Sequence, residues 1–301
     1  MPFLSARKNI LKFSLNFKKH SQKYGEGQEK KIFLSLSLVL YNPSRAHLKE
    51  TLKTLAQALK EFPAENLCFL IIDNSPNRHS IHKTITWQNI PTEIITGLGN
   101  LGFGKAHNLI LKQNRLGQFH LILNPDIWIE KEAIQKGIQY LLEHPEIGLC
   151  APATLNANNK LSHLGRDFPD LFSLGLRGFA PPFLRNFFGK YLAKYRLGHH
   201  IPTLQNNKII RNVPCLSGSF LLMRGEIFKK LNGFDPKFFL YFEDFDFSLR
   251  AQKITCTAIL PQMRIRHFGG NASQKGNKHI FYFIQSAFQF YQKHGWQFYK
   301  R

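Results

Sequence analysis

The stretch Leu67-Cys-Phe-Leu-Ile-Ile-Asp-Asn-Ser75 decides the fold. Its apolar residues run without a break and stop abruptly at polar ones. An unbroken apolar run of this length is typical of a strand buried on both faces, as in parallel sheets covered by helices. The polar stop matters equally, because open α/β sheets bind ligands at the carboxyl ends of their strands.

The flanking segments repeat the pattern. Ile32-Phe-Leu-Ser-Leu-Ser-Leu-Val-Leu40 reads as a strand ending at Tyr41-Asn42-Pro43. Ser44 is a good N-cap for a following helix, whose Leu48, Leu52, Leu55, Leu59 and Phe62 fall on one face. Glu93 to Thr96 reads as a third strand leading into Asn100-Leu-Gly-Phe-Gly-Lys-Ala-His-Asn108 and a helix. Phe119 to Leu123 is a fourth strand, ending at Asn124-Pro125-Asp126. Ile134, Ile138, Leu141 and Leu142 mark another helix, and Ile147 to Cys150 another strand. This alternation predicts an α/β fold with a mostly parallel central sheet flanked by helices. It also places Asn42, Asp73 and Asp126 along one rim, polar residues where packing alone would not ask for them.

The second half differs. Residues 168–202 mix Phe172, Phe179, Phe183, Phe187 and Phe188 with Arg177, Arg185, Lys190 and Lys194, and Pro181-Pro182 interrupts any long helix. Ser217 to Met223 reads as a strand, followed by a short helix closed by Gly233. Then comes Tyr241-Phe-Glu-Asp-Phe-Asp-Phe-Ser-Leu-Arg250. Its three carboxylates sit among aromatic residues, so it is either an acid-capped helix N-terminus or a desolvated base. Thr255 to Ile265 is β-like and ends at Arg266-His267. The tail from Ile280 to Arg301 is an aromatic amphipathic helix candidate with Phe281, Ile284, Phe288 and Tyr291 on one side.

The chain has 301 residues, 41 Lys+Arg against 19 Asp+Glu and a net charge of +22, which asks for an anionic partner. No zinc-finger, RNP-type or basic-zipper pattern supports nucleic acid as that partner. The 28 Phe call for an apolar surface beyond an ordinary core. Cys68, Cys150, Cys215 and Cys256 are widely spaced with no CxxC, so buried reduced thiols and a cytosolic compartment are expected. No apolar run is long enough to span a bilayer, and residues 1–31 form a basic leader, either a disordered tail or an anchor on anionic lipid.

Taken in order, Val39-Leu-Tyr-Asn42, Ile72-Asp-Asn-Ser75, Asn100-Leu-Gly-Phe-Gly104, Leu123-Asn-Pro-Asp126, Gly233-Phe-Asp…Phe239, Glu243-Asp-Phe-Asp246 with Arg250, and His267-Phe-Gly-Gly270 resemble glycosyltransferase family 2. Within it the set is most similar to rhamnosyltransferase-like enzymes of cell-surface polysaccharide assembly. The match covers roughly residues 32–273.

The resemblance implies a GT-A fold, with a nucleotide-binding half (32–150), an acceptor-binding half (151–273), and a C-terminal amphipathic helix (274–301) beyond them. It implies inverting, metal-dependent transfer of a sugar, rhamnose from dTDP-rhamnose in the first instance. Asp244 would be the base, with Glu243 beside it. Asp126 would be the main ligand for Mg²⁺ or Mn²⁺ and His267 a second. Asp73 would hold the donor's pyrimidine, with Tyr41, Asn42, Asn100, Gly102, Gly104, Lys105 and Asn124 completing the donor site. Arg250 would form an ion pair with Asp246. Many relatives carry Asp-x-Asp where Asn124-Pro-Asp126 stands here, which lowers the charge of the metal site.

The implied partners are a nucleotide-diphosphate sugar, a lipid-linked glycan or polysaccharide acceptor, and an anionic membrane surface, with no nucleic acid. The implied location is peripheral, on the inner face of the cytoplasmic membrane. The competing expectation is a catalytically silent sugar-nucleotide or polyanion-binding protein with the same fold.

Overall fold

A computed structural model describes residues 32–76, 90–155, 160–268 and 277–299. The basic leader and the Gly269-Gly270 end of the last motif lie outside the described residues. Residues 32–301 form one compact unit.

Strand β1 (Leu34–Leu40) and helix α1 (Arg45–Leu59) follow the reading above, and the Ser44 hydroxyl accepts from His47 N at the helix start. Next come β2 (Leu67–Asp73), β3 (Thr92–Thr96), the short helices α2 (Phe103–His107) and α3 (Leu109–Lys112), and β4 (Phe119–Leu123). β5 (Ile127–Ile129), α4 (Ala133–Glu143), β6 (Ile147–Leu155) and β7 (Leu161–His163) complete the first half. The Phe-rich region divides into α5 (Leu171–Phe179), α6 (Pro182–Phe187), α7 (Gly189–Tyr195) and α8 (Ile201–Gln205), with Pro181-Pro182 separating the first two and Leu197, at a left-handed φ of 53°, lying between the last two. The chain ends with β8 (Ile210–Arg211), β9 (Phe220–Arg224), α9 (Gly225–Lys230), α10 (Glu243–Gln252), β10 (Cys256–His267) and α11 (Asn277–His294).

One central sheet runs β3-β2-β1-β4-β9-β6-β10-β5. Strands β3, β2, β1 and β4 are parallel, as expected. Beyond β4 the sheet is mixed: β9 enters antiparallel between β4 and β6, while β6 and β10 are parallel. The predicted fold class stands, with the parallel part confined largely to the first half. No local pattern in 217–223 specifies that long-range insertion.

The parallel strands end together. Leu40 pairs with Asp73, Asp73 with Thr96, and Leu38 with Leu123, so Asn42, Asp73 and Asn124 share one edge. Strand β10 shifts register between Leu260 and Arg264 and then continues between β6 and β5. Such an irregularity bends a strand, and here it sets His267 opposite Ile127, next to Asp126.

Two cores hold the unit. One lies against the sheet and includes Leu70, Ile122, Phe228, Phe234 and Phe247. The other is aromatic: Phe238, Phe242, Phe290 and Tyr291 with Leu174. It packs α11 behind the acid-bearing turn. Tyr291 is therefore core, not a member of the exposed stripe, and its hydroxyl donates to Pro169 O at 2.9 Å. At 100° per residue it lies about 80° round from Phe281, far enough to turn inward. Phe281, Ile284 and Phe288 remain exposed. Cys68, Cys150 and Cys215 are buried, Cys256 is partly so, and all four are free. No described helix is long and apolar enough to cross a membrane.

Candidate active site

The donor-side rim is knotted by short hydrogen bonds. Asn42, at a left-handed φ of 43°, donates its N–H to Ser75 Oγ at 2.8 Å. Ser75 N in turn donates to Asp73 Oδ1 at 2.9 Å, and Asn74 N to Leu40 O. Asp73 is buried, whereas Tyr41 and Lys105 are exposed. Asn100 Oδ1 accepts from Gly102 N, and Asn74 Nδ2 donates to Gly102 O, both at 3.0 Å.

Gly102 and Gly104 have a packing cause that sequence reasoning missed. A Cβ on Gly102, at φ +80°, would lie 2.2 Å from Phe239 O. One on Gly104 would lie 2.7 Å from Phe234 Cβ. The glycines thus admit the Gly233–Phe239 segment, and Phe103 N donates to Phe239 O at 3.0 Å.

The Asn124-Pro-Asp126 turn is fixed from below by α1. Thr51 Oγ1 donates to Pro125 O at 2.9 Å and accepts from Ile127 N at 3.0 Å, and Thr54 Oγ1 accepts from Ile129 N. Asp126 Oδ1 and His267 Nε2 stand 3.2 Å apart, both partly accessible, and Phe268 N donates to Asp126 O. That pair lacks hydrogen-bond geometry at His267 Nε2. Two donors about 2.1 Å from one cation, at right angles, stand about 3.0 Å apart. The spacing therefore suits a shared divalent ion, although no cluster of three or more such ligands exists among the described residues.

The acids come off a strained turn. Tyr241 and Phe242 both have left-handed φ, 72° and 64°, a conformation rare for aromatic residues. The turn is clamped by Tyr241 Oη to His279 Nδ1 (2.9 Å) and by Ser286 Oγ donating to Leu240 O (2.8 Å), both contacts from α11. It delivers Glu243 and Asp244 as the first residues of α10, so the helix-start and base alternatives coexist.

Glu243 is buried, and its Oε2 has no hydrogen-bond partner. Burial first, and the charge of Asp244 second, push its pKa well above the ordinary carboxylate range. Asp244 is also raised by burial, but donors oppose the shift: Gly218 N gives to Oδ2 and Phe245 N to Oδ1, each at 2.9 Å, with Arg166 nearby. Burial thus disfavours the charge of both acids, and only Asp244 has backbone donors that oppose the shift.

Both acids line a cavity of about 270 Å³. Its other walls carry Arg166, Arg177, Tyr195, Ser217 and Phe283. The segment 217–219 joins the two halves of the site: Ser219 O accepts from Asn124 N at 2.9 Å, while Gly218 N holds Asp244. Asp246 faces away, gripped by Arg250 (2.8 Å), His294 (2.8 Å) and Lys293 (2.7 Å), so the expected Arg250 pair is structural. Sequence reasoning missed Thr51, Gly218 and Arg166. The sole available signal was the Ser-Gly-Ser run at 217–219.

A mixed sheet with a polar carboxyl edge, an Asp–His pair at one strand end and acids on a facing turn define a GT-A fold. The chain aligns with the mannosyltransferase PcManGT from Pyrobaculum calidifontis in complex with GDP-Man and Mn²⁺, at TM-score 0.56 and 12% identity over 95% of this chain and 73% of that one. It aligns with GalNAc-T7, crystallised with UDP, GalNAc and Mn²⁺, at TM-score 0.57 and 16% identity over 80% of this chain, spanning only 44% of that protein.

No protein-family model matches the chain. Among curated proteins it is 26% identical over 249 residues to the N-acetylglucosaminyl-diphospho-decaprenol L-rhamnosyltransferase of Mycobacterium tuberculosis, covering 78% of this chain and 75% of that enzyme. The mycobacterial relative supports the resemblance to the rhamnosyltransferase-like branch of glycosyltransferase family 2, and the solved structures support the GT-A fold.

Proposed function

We propose that the chain is an inverting glycosyltransferase of cell-surface glycan assembly. It moves a sugar, rhamnose from dTDP-rhamnose in the first instance, from a nucleotide-diphosphate donor to a lipid-linked acceptor. The observation that carries this is the placement of Asp244: a carboxylate lining a cavity, held by Gly218, the residue before Ser219, whose carbonyl anchors the Asn124–Asp126 turn. The choice of sugar and of a lipid-diphosphate acceptor is supported by similarity to the mycobacterial rhamnosyltransferase.

In this account residues 32–150 bind the donor and 151–273 the acceptor. Asp73 takes the pyrimidine, with the Asn42–Ser75 bridge and the Asn100–Gly102 turn shaping the pocket around it. The acceptor hydroxyl lies against Asp244, which accepts its proton as the oxygen attacks the anomeric carbon. Burial raises the pKa of Glu243, which disfavours a second negative charge beside the nucleophile. Attack opposite to the departing diphosphate inverts the anomeric centre. Asp126 and His267 would hold Mg²⁺ or Mn²⁺, which when bound supplies positive charge to the departing diphosphate. Tyr41 and Lys105, both exposed, flank the donor entrance.

Membrane association is supported by a cluster of exposed apolar side chains. Phe281, Ile284 and Phe288 of α11, Phe183 and Phe187 of α6, and Trp296 are exposed in a chain of net charge +22. Aromatic groups combined with Lys and Arg suit an anionic leaflet, which is where a lipid-linked acceptor resides.

The test is donor binding by thermal shift with a panel of nucleoside diphosphates, with and without Mn²⁺, in the wild type and in Asp126→Ala. A metal-dependent shift with one pyrimidine diphosphate, lost in D126A, is expected. A shift unaffected by metal and by D126A contradicts the donor site.

A further inference from the structure

We propose that Arg166 and Arg177 form the binding site for the acceptor's diphosphate, inside the same cavity that carries Asp244. This rests on the lipid-linked acceptor proposed above and adds which residues recognise it and how large its sugar is.

Both guanidinium groups line the cavity, yet neither belongs to an ion pair among the described residues. Arg166 is half-buried, and its Nη1 donates only to backbone carbonyls, His163 O at 3.3 Å and Gly165 O at 2.6 Å. Arg177 lies over the ring of Tyr195, 5.3 Å from its centroid, and donates to Tyr195 Oη at 3.3 Å. The Asp244 carboxylate reaches Arg166 through its charge, but it is one carboxylate beside two arginines in the same cavity, an excess of positive charge that suits a further anion. Burial, with Arg177 and Arg196 close by, already lowers the proton affinity of Arg166. Arginine remains charged regardless and presents a fork that fits phosphate oxygens.

The acids do not fill this role. Glu243 is buried with no hydrogen-bond partner at Oε2, a setting that disfavours its charge, and the Asp244 carboxylate accepts from two backbone N–H groups. The donor's diphosphate belongs at the opposite rim, by Asp126 and His267. The two cations therefore await a second diphosphate, and the acceptor is the substrate that brings one.

Size narrows the acceptor further. Ligand pockets commonly measure about 300–1,000 Å³, so a cavity of about 270 Å³ lies at the small end. It holds both the base and the arginines. A volume this small, shared by the arginines and Asp244, suits one sugar ring beside a diphosphate. The preferred acceptor is a monosaccharide on a lipid diphosphate, not an extended glycan. Leu174 and Phe283 supply apolar wall for the sugar face and the first lipid carbons.

The test uses the full chain with its donor site saturated by dTDP and Mg²⁺, titrated calorimetrically with farnesyl diphosphate and, separately, with farnesol. The diphosphate should bind and the alcohol should not. R166Q and R177Q should each weaken diphosphate binding by about 10- to 100-fold, the usual cost of losing a charge-assisted contact. R177K should restore part of that loss. Because Arg177 is exposed, R177Q tests the site even if R166Q disturbs folding. In transfer assays the wild type's preference for a diphosphate-linked over a neutral alkyl glycoside acceptor should fall by a similar factor in R177Q.

Equal binding of farnesol and its diphosphate, or undiminished binding in R177Q, overturns the proposal. Arginine-dependent diphosphate binding without any sugar transfer would leave this site standing and sink the glycosyltransferase account instead.

Discussion

Gly218 donates its backbone N–H to Asp244 Oδ2 at 2.9 Å, and no side chain could replace the hydrogen at its Cα without crowding. A Cβ there would lie 3.0 Å from the Phe103 ring and 3.3 Å from Asp244 Cβ. The bond ties the acid-bearing turn to the 217–219 segment, whose Ser219 carbonyl also anchors Asn124. A single residue step along the backbone thus separates the support of the acceptor side from the support of the donor side.

Glu243 should oppose stability as pH rises. Its folded pKa is raised above its unfolded value, so the folded state holds a proton that the unfolded state has lost. Stability contributed below the ordinary glutamate pKa is then lost progressively as pH climbs toward the folded value. Glu243→Gln, which mimics the protonated acid, should melt higher than wild type at pH 8. The gap should close near pH 4. Melting curves across that range check this, and a wild type that gains on E243Q with rising pH contradicts it.

Asp246 should behave in the opposite sense. Burial alone would raise its pKa, but His294, Arg250 and Lys293 outweigh it and hold the carboxyl at about 2. The stabilisation is present above the ordinary value and disappears as pH falls toward 2, a contribution of about 2 kcal/mol. Asp246→Asn leaves Arg250 and Lys293 facing a neutral group, with His294 beside them, and should cost about 3 kcal/mol in urea unfolding at pH 7. A loss below about 0.5 kcal/mol would mean that α11 is not anchored through this residue.

Gly102→Ala should destabilise by about 2 kcal/mol or more, since it combines a left-handed backbone with a clash against Phe239 O. Gly99→Ala is the internal control. It shares a positive φ but has nothing within 4 Å of the added Cβ, so it should cost about 1 kcal/mol. Equal melting temperatures for the two variants would refute the packing explanation.

The exposed face of α11 should bind lipid. Phe281→Ser, Ile284→Ser and Phe288→Ser together should abolish co-sedimentation with anionic vesicles while changing the melting temperature little, because surface positions seldom matter by more than about 0.5 kcal/mol each. Unchanged vesicle binding would assign these side chains another role.

Much of this was legible in the chain. Largely apolar runs leading to Asn42, Asp73 and Asn124 marked the parallel strands and their rim, and Ser44 marked the start of α1. The entry of β9 between β4 and β6 was not legible, because strand partners are chosen by contacts distant in sequence. The approach of His267 to Asp126 depends on the register shift at 260–264, which has no local signature, and so came through family resemblance alone. Thr51 and Thr54 resembled ordinary helix residues until the turn they hold was seen above them. Arg166 gave no signal because its meaning lies in the cavity it shares with Asp244 and Arg177, which sequence does not display.

The most direct test of the account is transfer from dTDP-rhamnose to a lipid-diphosphate N-acetylglucosamine acceptor, comparing wild type with Asp244→Asn under single-turnover conditions. The expected outcome is product of inverted anomeric configuration from the wild type, and a rate lower by about 10²- to 10⁴-fold in D244N with the donor-induced melting shift preserved. Full transfer by D244N would show that Asp244 is not the base.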